Sequence, residues 1–281
     1  MKRIGIFAKK GEPEAVKAVR LFLRRLKKKK CKFIIESDLA STLKIRGYRR
    51  KDIPSRSDII MVFGGDGTLL SVARLVGSLG VPILGVNLGS LGFITELTRD
   101  ELDDNIDVIF SDKCCFEERI MLLADVFRQG RRIIQHNALN DVVLNKGALA
   151  RMFEFDISID KQYVSTFRAD GLIISTPTGS TAHSLSAGGP ILYPTLETFL
   201  MTPICPHTLT SRPIVLPDTF TLEVKITSGD DVNLTLDGQA VYPLKNKDRI
   251  RIRKADYKTK FVVLHDRDYF QILRTKLKWG E

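Results

Sequence analysis

Apolar and polar positions follow two rhythms along this chain, and the rhythm changes near residue 117. Over the first 110 residues, compact apolar runs alternate with stretches of helical period. Residues 4–8, 33–35, 59–63 and 83–86 read as strands, 59–63 as a buried one. Residues 13–30 place Val16, Val19, Leu23 and Leu26 on one helical face, and residues 68–78 predict a second helix. Thr98 and Glu101 have the spacing of a capping box before a third helix reaching about residue 110. This alternation predicts an α/β domain with an open, mostly parallel sheet and helices on both faces. Ligands of such sheets gather at the carboxyl ends of the strands.

Past residue 117 the pattern becomes short, alternating and β-rich. Residues 121–127, 133–135, 141–144, 153–159, 220–226, 232–236, 249–253 and 261–264 read as strands, separated by turn residues such as Ser228-Gly229-Asp230-Asp231. An antiparallel β domain is expected. Residues 269–277 return to a helical pattern, which is expected to pack back on the first domain. The predicted division is 1–116, 117–266 and 267–281, with no repeat and no low-complexity linker.

A length of 281 residues suits two domains with real cores, and 43% apolar with 27% charged residues is ordinary for a globular protein. No stretch nears the ~18 apolar residues that span a membrane. The first ten residues start basic and turn apolar too briefly for a signal peptide, so they read as a first strand. Cys31, Cys114, Cys115 and Cys205 lack metal-site spacing, and a reducing cytoplasm is expected. The net charge of +11 is uneven: residues 1–58 hold 19 Lys/Arg against 6 Asp/Glu. Arg24-Arg25, Lys27 to Lys30 and the run 46–51 are the richest pieces. No aromatic residues interleave them as in single-strand binders, and Lys27 to Lys30 suit a helix C-terminus. Neither nucleic acid nor membrane is an expected partner.

Candidate chemistry centres on Gly64-Gly65-Asp66-Gly67-Thr68, a tight turn from a predicted strand into a predicted helix. Three glycines allow positive φ and close approach of a ligand. The N–H groups at the helix start favour phosphate, and Thr68 is positioned to cap. A carboxylate at Asp66 would repel phosphate unless it held a metal or accepted a hydroxyl proton. The plain alternative is a glycine turn with an Asp cap. The second unusual segment is 170–190, where a strand runs into Thr176-Pro177-Thr178-Gly179-Ser180-Thr181-Ala182-His183-Ser184-Leu185-Ser186. Small hydroxyl side chains and free amides suit a ligand rich in hydroxyls and phosphates. There is no P-loop, no G-x-G-x-x-G fingerprint, no H-E-x-x-H and no paired C-x-x-C. His136, His183, His207 and His265 are scattered, and Ser180 lies in no nucleophile elbow.

These segments, with Asn87-Leu88-Gly89-Ser90-Leu91-Gly92-Phe93, Asn140-Asp141, residues 207–213 and Asp237-Gly238-Gln239, occur in an order that resembles the NAD kinases over nearly the whole chain. The Gly-Gly-Asp-Gly-Thr turn is shared with diacylglycerol, sphingoid and phosphofructo-kinases, while the Thr-Pro-Thr-Gly-Ser-Thr-Ala run is specific to NAD kinases. The resemblance implies ATP-dependent, Mg²⁺-assisted phosphorylation of the adenosine 2′-hydroxyl of NAD. It also implies a β-sandwich-like second domain and a homodimer or homotetramer. It makes Asp66 the catalytic aspartate, with Gly64, Gly65, Gly67 and Thr68 in its turn, and Asn140 and Asp141 the dinucleotide-binding pair. Arg151, Arg168, Asp170, Thr178, Thr181, Ala182, His183, Ser184, Leu185, Ser186 and Gln239 fall on other positions that bind NAD or ATP. Two residues depart from the family pattern: Asp141 stands where Glu is usual, and His183 where Tyr is usual. The alternatives are a lipid kinase that shares the turn, and a non-catalytic dinucleotide sensor, which would have no need of Asp66.

Overall fold

The computed structural model describes residues 2–89, 92–110, 114–147, 151–229, 231–264 and 268–278. Their elements are, in order, β1 (Arg3–Ala8), α1 (Pro13–Lys28), β2 (Lys32–Ile35), α2 (Ser37–Leu43), β3 (Ile59–Phe63), α3 (Asp66–Val76), β4 (Ile83–Asn87), β5 (Leu97–Thr98) and α4 (Leu102–Phe110). There follow β6 (Cys115–Arg128), β7 (Arg131–Ala138), β8 (Asp141–Lys146), β9 (Phe153–Ile159), β10 (Gln162–Ala169), β11 (Gly171–Ser175), α5 (His183–Ser186) and β12 (Thr198–Ile204). The chain ends with β13 (Ile214–Pro217), β14 (Leu222–Ser228), β15 (Val232–Leu236), β16 (Ala240–Leu244), β17 (Arg249–Val263) and α6 (Tyr269–Leu277). They form two compact units, 1–118 with 259–281, and 119–258.

In the first unit β2, β1, β3 and β4 lie side by side, all parallel. The end of β17 joins β4 through Phe261 opposite Ile83, and β5 joins it through Val86 opposite Leu97. β3 and β4 are buried at every residue, as strands covered on both faces must be. α1 opens with Pro13 in its first turn and turns Ala18, Val19, Phe22, Leu23 and Leu26 into the core, where Phe22 meets Phe63 at 5.4 Å between ring centroids. Arg25, Lys27 and Lys28 occupy its last turn, where cations complement the helix dipole. α6, capped by the Asp268 carboxylate on the Phe270 N–H at 2.9 Å, belongs to this unit.

The second unit is antiparallel. β13, β12, β11, β8, β15 and β16 form one sheet in that order. β10, β9, β14 and β17 pair in a second, and β6 pairs with β7 around the tight turn Gln129-Gly130, both of positive φ. One apolar core holds Phe153, Phe155 and Val224 from the second sheet and Leu144, Leu172 and Leu234 from the first, so the two sheets share it as in a sandwich. Alternating burial along β9 and β15 leaves their other faces wetter, whereas β11 is buried throughout. All four cysteines are free thiols.

Candidate functional site

The turn after β3 puts Asp66 at the first position of α3, behind Gly65 in an extended conformation. The carboxylate turns away from its own helix. Oδ2 accepts the Phe93 N–H at 2.8 Å, and Oδ1 accepts those of Ile94 and Thr95, both at 3.2 Å. The segment after β4 is folded to present them. Asn87 Nδ2 and the Gly92 N–H both donate to Thr95 Oγ1, at 3.2 and 2.9 Å, and the Gly89 N–H donates to Asn87 Oδ1 at 3.0 Å. A Cβ on Gly92 would overlap the Asp66 carboxylate. Ser90 and Leu91 of this motif lie outside the described residues, as do His265 and Asp230.

Two expectations for the turn are corrected. Gly64, Gly65 and Gly67 do not have positive φ. Gly64 is required by proximity, because a Cβ there would lie 2.6 Å from Thr68 Oγ1 and 3.1 Å from Lys9 Cβ, while the space at Gly65 is open. Thr68 is not the cap either. It is the third residue of α3, and its hydroxyl fills the space against Gly64.

In the second unit Asp141 opens β8, with Asn140 just before it. A second carboxylate fixes them. Asp237, in the β15–β16 turn, accepts the Asn140 and Asp141 N–H groups on Oδ1, at 2.7 and 3.2 Å, and the Leu139 N–H on Oδ2 at 3.2 Å. Asp237 and Gly238 both have positive φ, as a tight hairpin turn requires. The Asp141 side chain is buried, and no donor among the described residues reaches it. Burial, and then the neighbouring charge of Asp237, push its pKa up to about 7. Asn140 Oδ1 is buried without a partner. Leaving such an acceptor unmet costs about 1–3 kcal/mol, and a ligand donor would remove that cost.

The hydroxyl-rich run covers Asn140. The Thr176 N–H donates to the Asn140 carbonyl at 2.9 Å, Thr176 Oγ1 donates to the Leu139 carbonyl at 2.6 Å, and a Cβ on Gly179 would strike the Asn140 backbone. Several hydroxyls of the run are therefore spent inside the protein. Ser180 Oγ donates to the Pro177 carbonyl at 2.7 Å and accepts the Leu192 N–H at 3.0 Å, and Ser184 Oγ meets Thr202 Oγ1 at 2.9 Å. Thr178, buried, has its hydroxyl 3.5 Å from Arg119 Nη1. Thr181, Ala182 and Leu185 are half-buried, and His183 and Ser186 are exposed.

Asn140, Asp141, Thr178 and Gln239, the last exposed on the Asp237 turn, thus fall in one place. Arg168 and Asp170 do not. β11 runs antiparallel to β8 with Ser175 opposite Asp141, so Asp170 lies beside Lys146 at the far end, its carboxylate 3.6 Å from Lys146 Nζ. Five residue steps along β8 separate the two ends, about 17 Å at ~3.4 Å per step. Arg151 is exposed just before β9. Sequence reasoning named Asp237 only within the Asp237-Gly238-Gln239 segment and gave it no role at the site. Its signal was present in the Asp-Gly pair between two alternating runs, the mark of a hairpin turn.

Residues 4–114 match the model of the ATP-NAD kinase N-terminal domain and residues 139–264 that of the ATP-NAD kinase C-terminal domain. The chain belongs to the ATP-NAD kinase family. Among curated relatives, the NAD kinase of Geobacter sulfurreducens is 50% identical over 283 residues and that of Geotalea daltonii 48% over 283 residues, each covering the whole of both chains. A crystal structure of yeast NADH kinase complexed with NADH matches with a TM-score of 0.94 at 28% identity, covering 100% of this chain and 89% of that one. An NAD kinase from Archaeoglobus fulgidus in complex with ATP shares the fold, with a TM-score of 0.75 at 23% identity over 98% of each chain. As a member of the ATP-NAD kinase family the chain is a kinase. No helix among the described residues is long and apolar enough to cross a membrane.

Proposed function

We propose that this chain transfers the terminal phosphoryl group of ATP to the 2′-hydroxyl of the adenosine ribose of NAD, giving NADP and ADP, with Asp66 receiving the hydroxyl proton. The observation that carries the assignment of Asp66 is its carboxylate, held by three consecutive N–H groups at the carboxyl end of β3. Oδ2 accepts only one of them, so a lone pair with a fixed direction remains. A ribose hydroxyl is a weak nucleophile until its proton has an acceptor. The bond from the 2′-oxygen to the phosphorus forms as the bond to ADP breaks, and the proton passes to Oδ2. Positioning supplies the rest. The N–H groups at the start of α3 offer the positive end of the helix to phosphate, and Gly64 keeps the turn tight. Asn140 Oδ1, which lacks a donor, is assigned to a donor of the dinucleotide, and Asp141 beside it to a ribose or amide group.

Mg²⁺ is expected to arrive with ATP and to neutralise charge on its phosphates. An ion so carried keeps most of its waters and needs only one or two protein oxygens, so it leaves Asp66 Oδ2 free for the hydroxyl proton. A homo-oligomer is proposed on the distance within the second unit. A group bound at Asp141 is about 17 Å along the strand from the same copy's Asp170, which a second copy's Asp170 would not be obliged to match. Four free thiols and the absence of metal spacing among the cysteines support a reducing cytoplasm. The deciding experiment gives purified protein ATP, Mg²⁺ and NAD and scores NADP. No NADP above a no-enzyme control, with folded protein, overturns the assignment. NADH in place of NAD, prompted by the yeast relative, defines the range of acceptor.

A further inference from the structure

The positive charge of residues 1–58 is not spread evenly over the first unit. Two cavities there show the difference. One, of about 880 Å³, lies at the carboxyl ends of β1 and β2. Its cations all have acid partners: Lys9 with Glu12 at 3.3 Å, Lys10 with Asp38 at 2.9 Å and Arg50 with Glu36 at 2.9 Å. The other, of about 410 Å³, lies beside the amino ends of the same two strands and is lined by Arg3, Lys32, Arg56, Phe33 and Tyr48, with no carboxylate in its wall.

The second arrangement is built. Arg3 and Lys32 are in-register partners on neighbouring parallel strands, so two cations stand side by side. Like charges so placed repel, which disfavours the fold unless something offsets them. Arg3 Nη1 donates to the Arg56 backbone carbonyl at 3.1 Å, which ties the Arg3 guanidinium to the main chain that carries the third cation. The guanidinium of Arg56 lies 5.9 Å from the Tyr48 ring centroid, and that of Arg46 lies 5.4 Å from it. Asp58 spends its Oδ2 on the backbone N–H of Arg3 at 2.6 Å. Among the described residues none of Arg3, Lys32, Arg46 and Arg56 forms an ion pair.

We infer that this cavity binds the phosphate group of a small phosphorylated molecule. Two guanidinium groups and an ammonium match the oxygens of one phosphate, arginine by its planar fork and lysine as a point charge. Tyr48 and Phe33 provide an apolar wall for whatever the phosphate carries. The cavity sits at the opposite ends of the strands from Asp66, so the ligand is an effector and not a substrate.

Calorimetric titration of the full chain with inorganic pyrophosphate, without ATP or NAD, tests this. The wild type is expected to bind one equivalent more than Lys32→Gln/Arg56→Gln, and that equivalent is expected to weaken as salt rises. Turnover of NAD without pyrophosphate should be equal in the two. Identical isotherms overturn the proposal. Lys32→Arg/Arg56→Lys, which keeps both charges, should recover the lost equivalent. Failure to recover it also overturns the proposal, because the loss then follows shape and not charge. Adenosine 5′-monophosphate identifies the source. Binding at least fivefold tighter than pyrophosphate, with the gain removed by Tyr48→Leu, assigns a nucleotide. Equal or weaker binding assigns an inorganic phosphate.

Discussion

Asp66 in the first unit and Asp237 in the second make the same bonds and face different surroundings. Each gathers three consecutive backbone N–H groups, from Phe93 to Thr95 in one case and from Leu139 to Asp141 in the other. Asp66 is half-buried, and its neighbours are glycines and the start of a helix. Asp237 is buried and stands beside a second carboxyl group, that of Asp141, which no donor among the described residues reaches. An identical tripod therefore does two jobs. Around Asp66 it holds the carboxylate that we propose takes the hydroxyl proton. Around Asp237 it fixes the backbone of Leu139, Asn140 and Asp141, and the dinucleotide contacts we propose fall to Asn140 and Asp141.

Substitutions should separate the two. The largest effect is expected from Asp66→Asn, which keeps the shape and removes the charge. The turnover number should fall by about 10²–10⁴-fold, the usual contribution of a general base, with a melting temperature near wild type. Activity within a few-fold of wild type would remove Asp66 from the chemistry. Gly92→Ala comes next. Its methyl group would displace the Asp66 carboxylate, and a shift near 1 Å can cost about 10²-fold, so turnover should drop while KM for NAD holds. If Gly92→Ala is fully active, the carboxylate moves freely and the tripod does not aim it.

Asp237→Ala is expected to act on stability and binding together. It strands three buried N–H groups, each costing about 1–3 kcal/mol. The melting temperature should fall by several degrees, and KM for NAD should rise more than turnover falls. Unchanged stability would show that the start of β8 holds itself. The smallest effect is expected from Asp141→Asn, and its sign depends on pH. The carboxyl group titrates near 3.8 when unfolded and about 7 in the fold. Between those values the fold holds a proton that the unfolded chain has released, so the contribution of Asp141 to stability falls as pH rises and levels off above about 7. Asp141→Asn escapes that loss. Against wild type it should be neutral near pH 4 and more stable at pH 8, by an amount on the order of a kcal/mol or more, read by urea unfolding. A gain that does not grow with pH would mean that Asp141 is not held protonated.

Much of this was legible in the chain, and the omissions have physical causes. The continuous apolar run of β3 and the periodic faces of α1 and α3 announced the parallel layer, since burial on two faces leaves no polar positions to confuse it. α2 was missed because seven residues rich in Ser, Asp and Thr carry a weak period. Pro203 and Pro243 hid β12 and β16, because proline argues against strands. Both are tolerated: the pairing of β12 with β13 ends at Met201, and β16 is an edge strand. Asp66 was legible because its motif is local. Its partners were not, because nothing near residue 66 announces that the segment after β4 returns to it. The small hydroxyl side chains of the 176–186 run suit a polar ligand by composition, yet those of Thr176, Ser180 and Ser184 are internal fasteners, a distinction that composition does not carry.

The last strand of the chain sets a timetable for its synthesis. The Ile83 end of β4 meets its neighbour only through Phe261, about 180 residues later. At ~5–20 residues per second, a ribosome needs roughly 10–35 s to deliver that partner. For that interval the N-terminal sheet waits with part of one edge open, a surface on which nascent chains pair wrongly. Unit one is thus encoded first and completed last, and an early stop codon near residue 258 would damage the half of the protein that lies farthest from it in sequence.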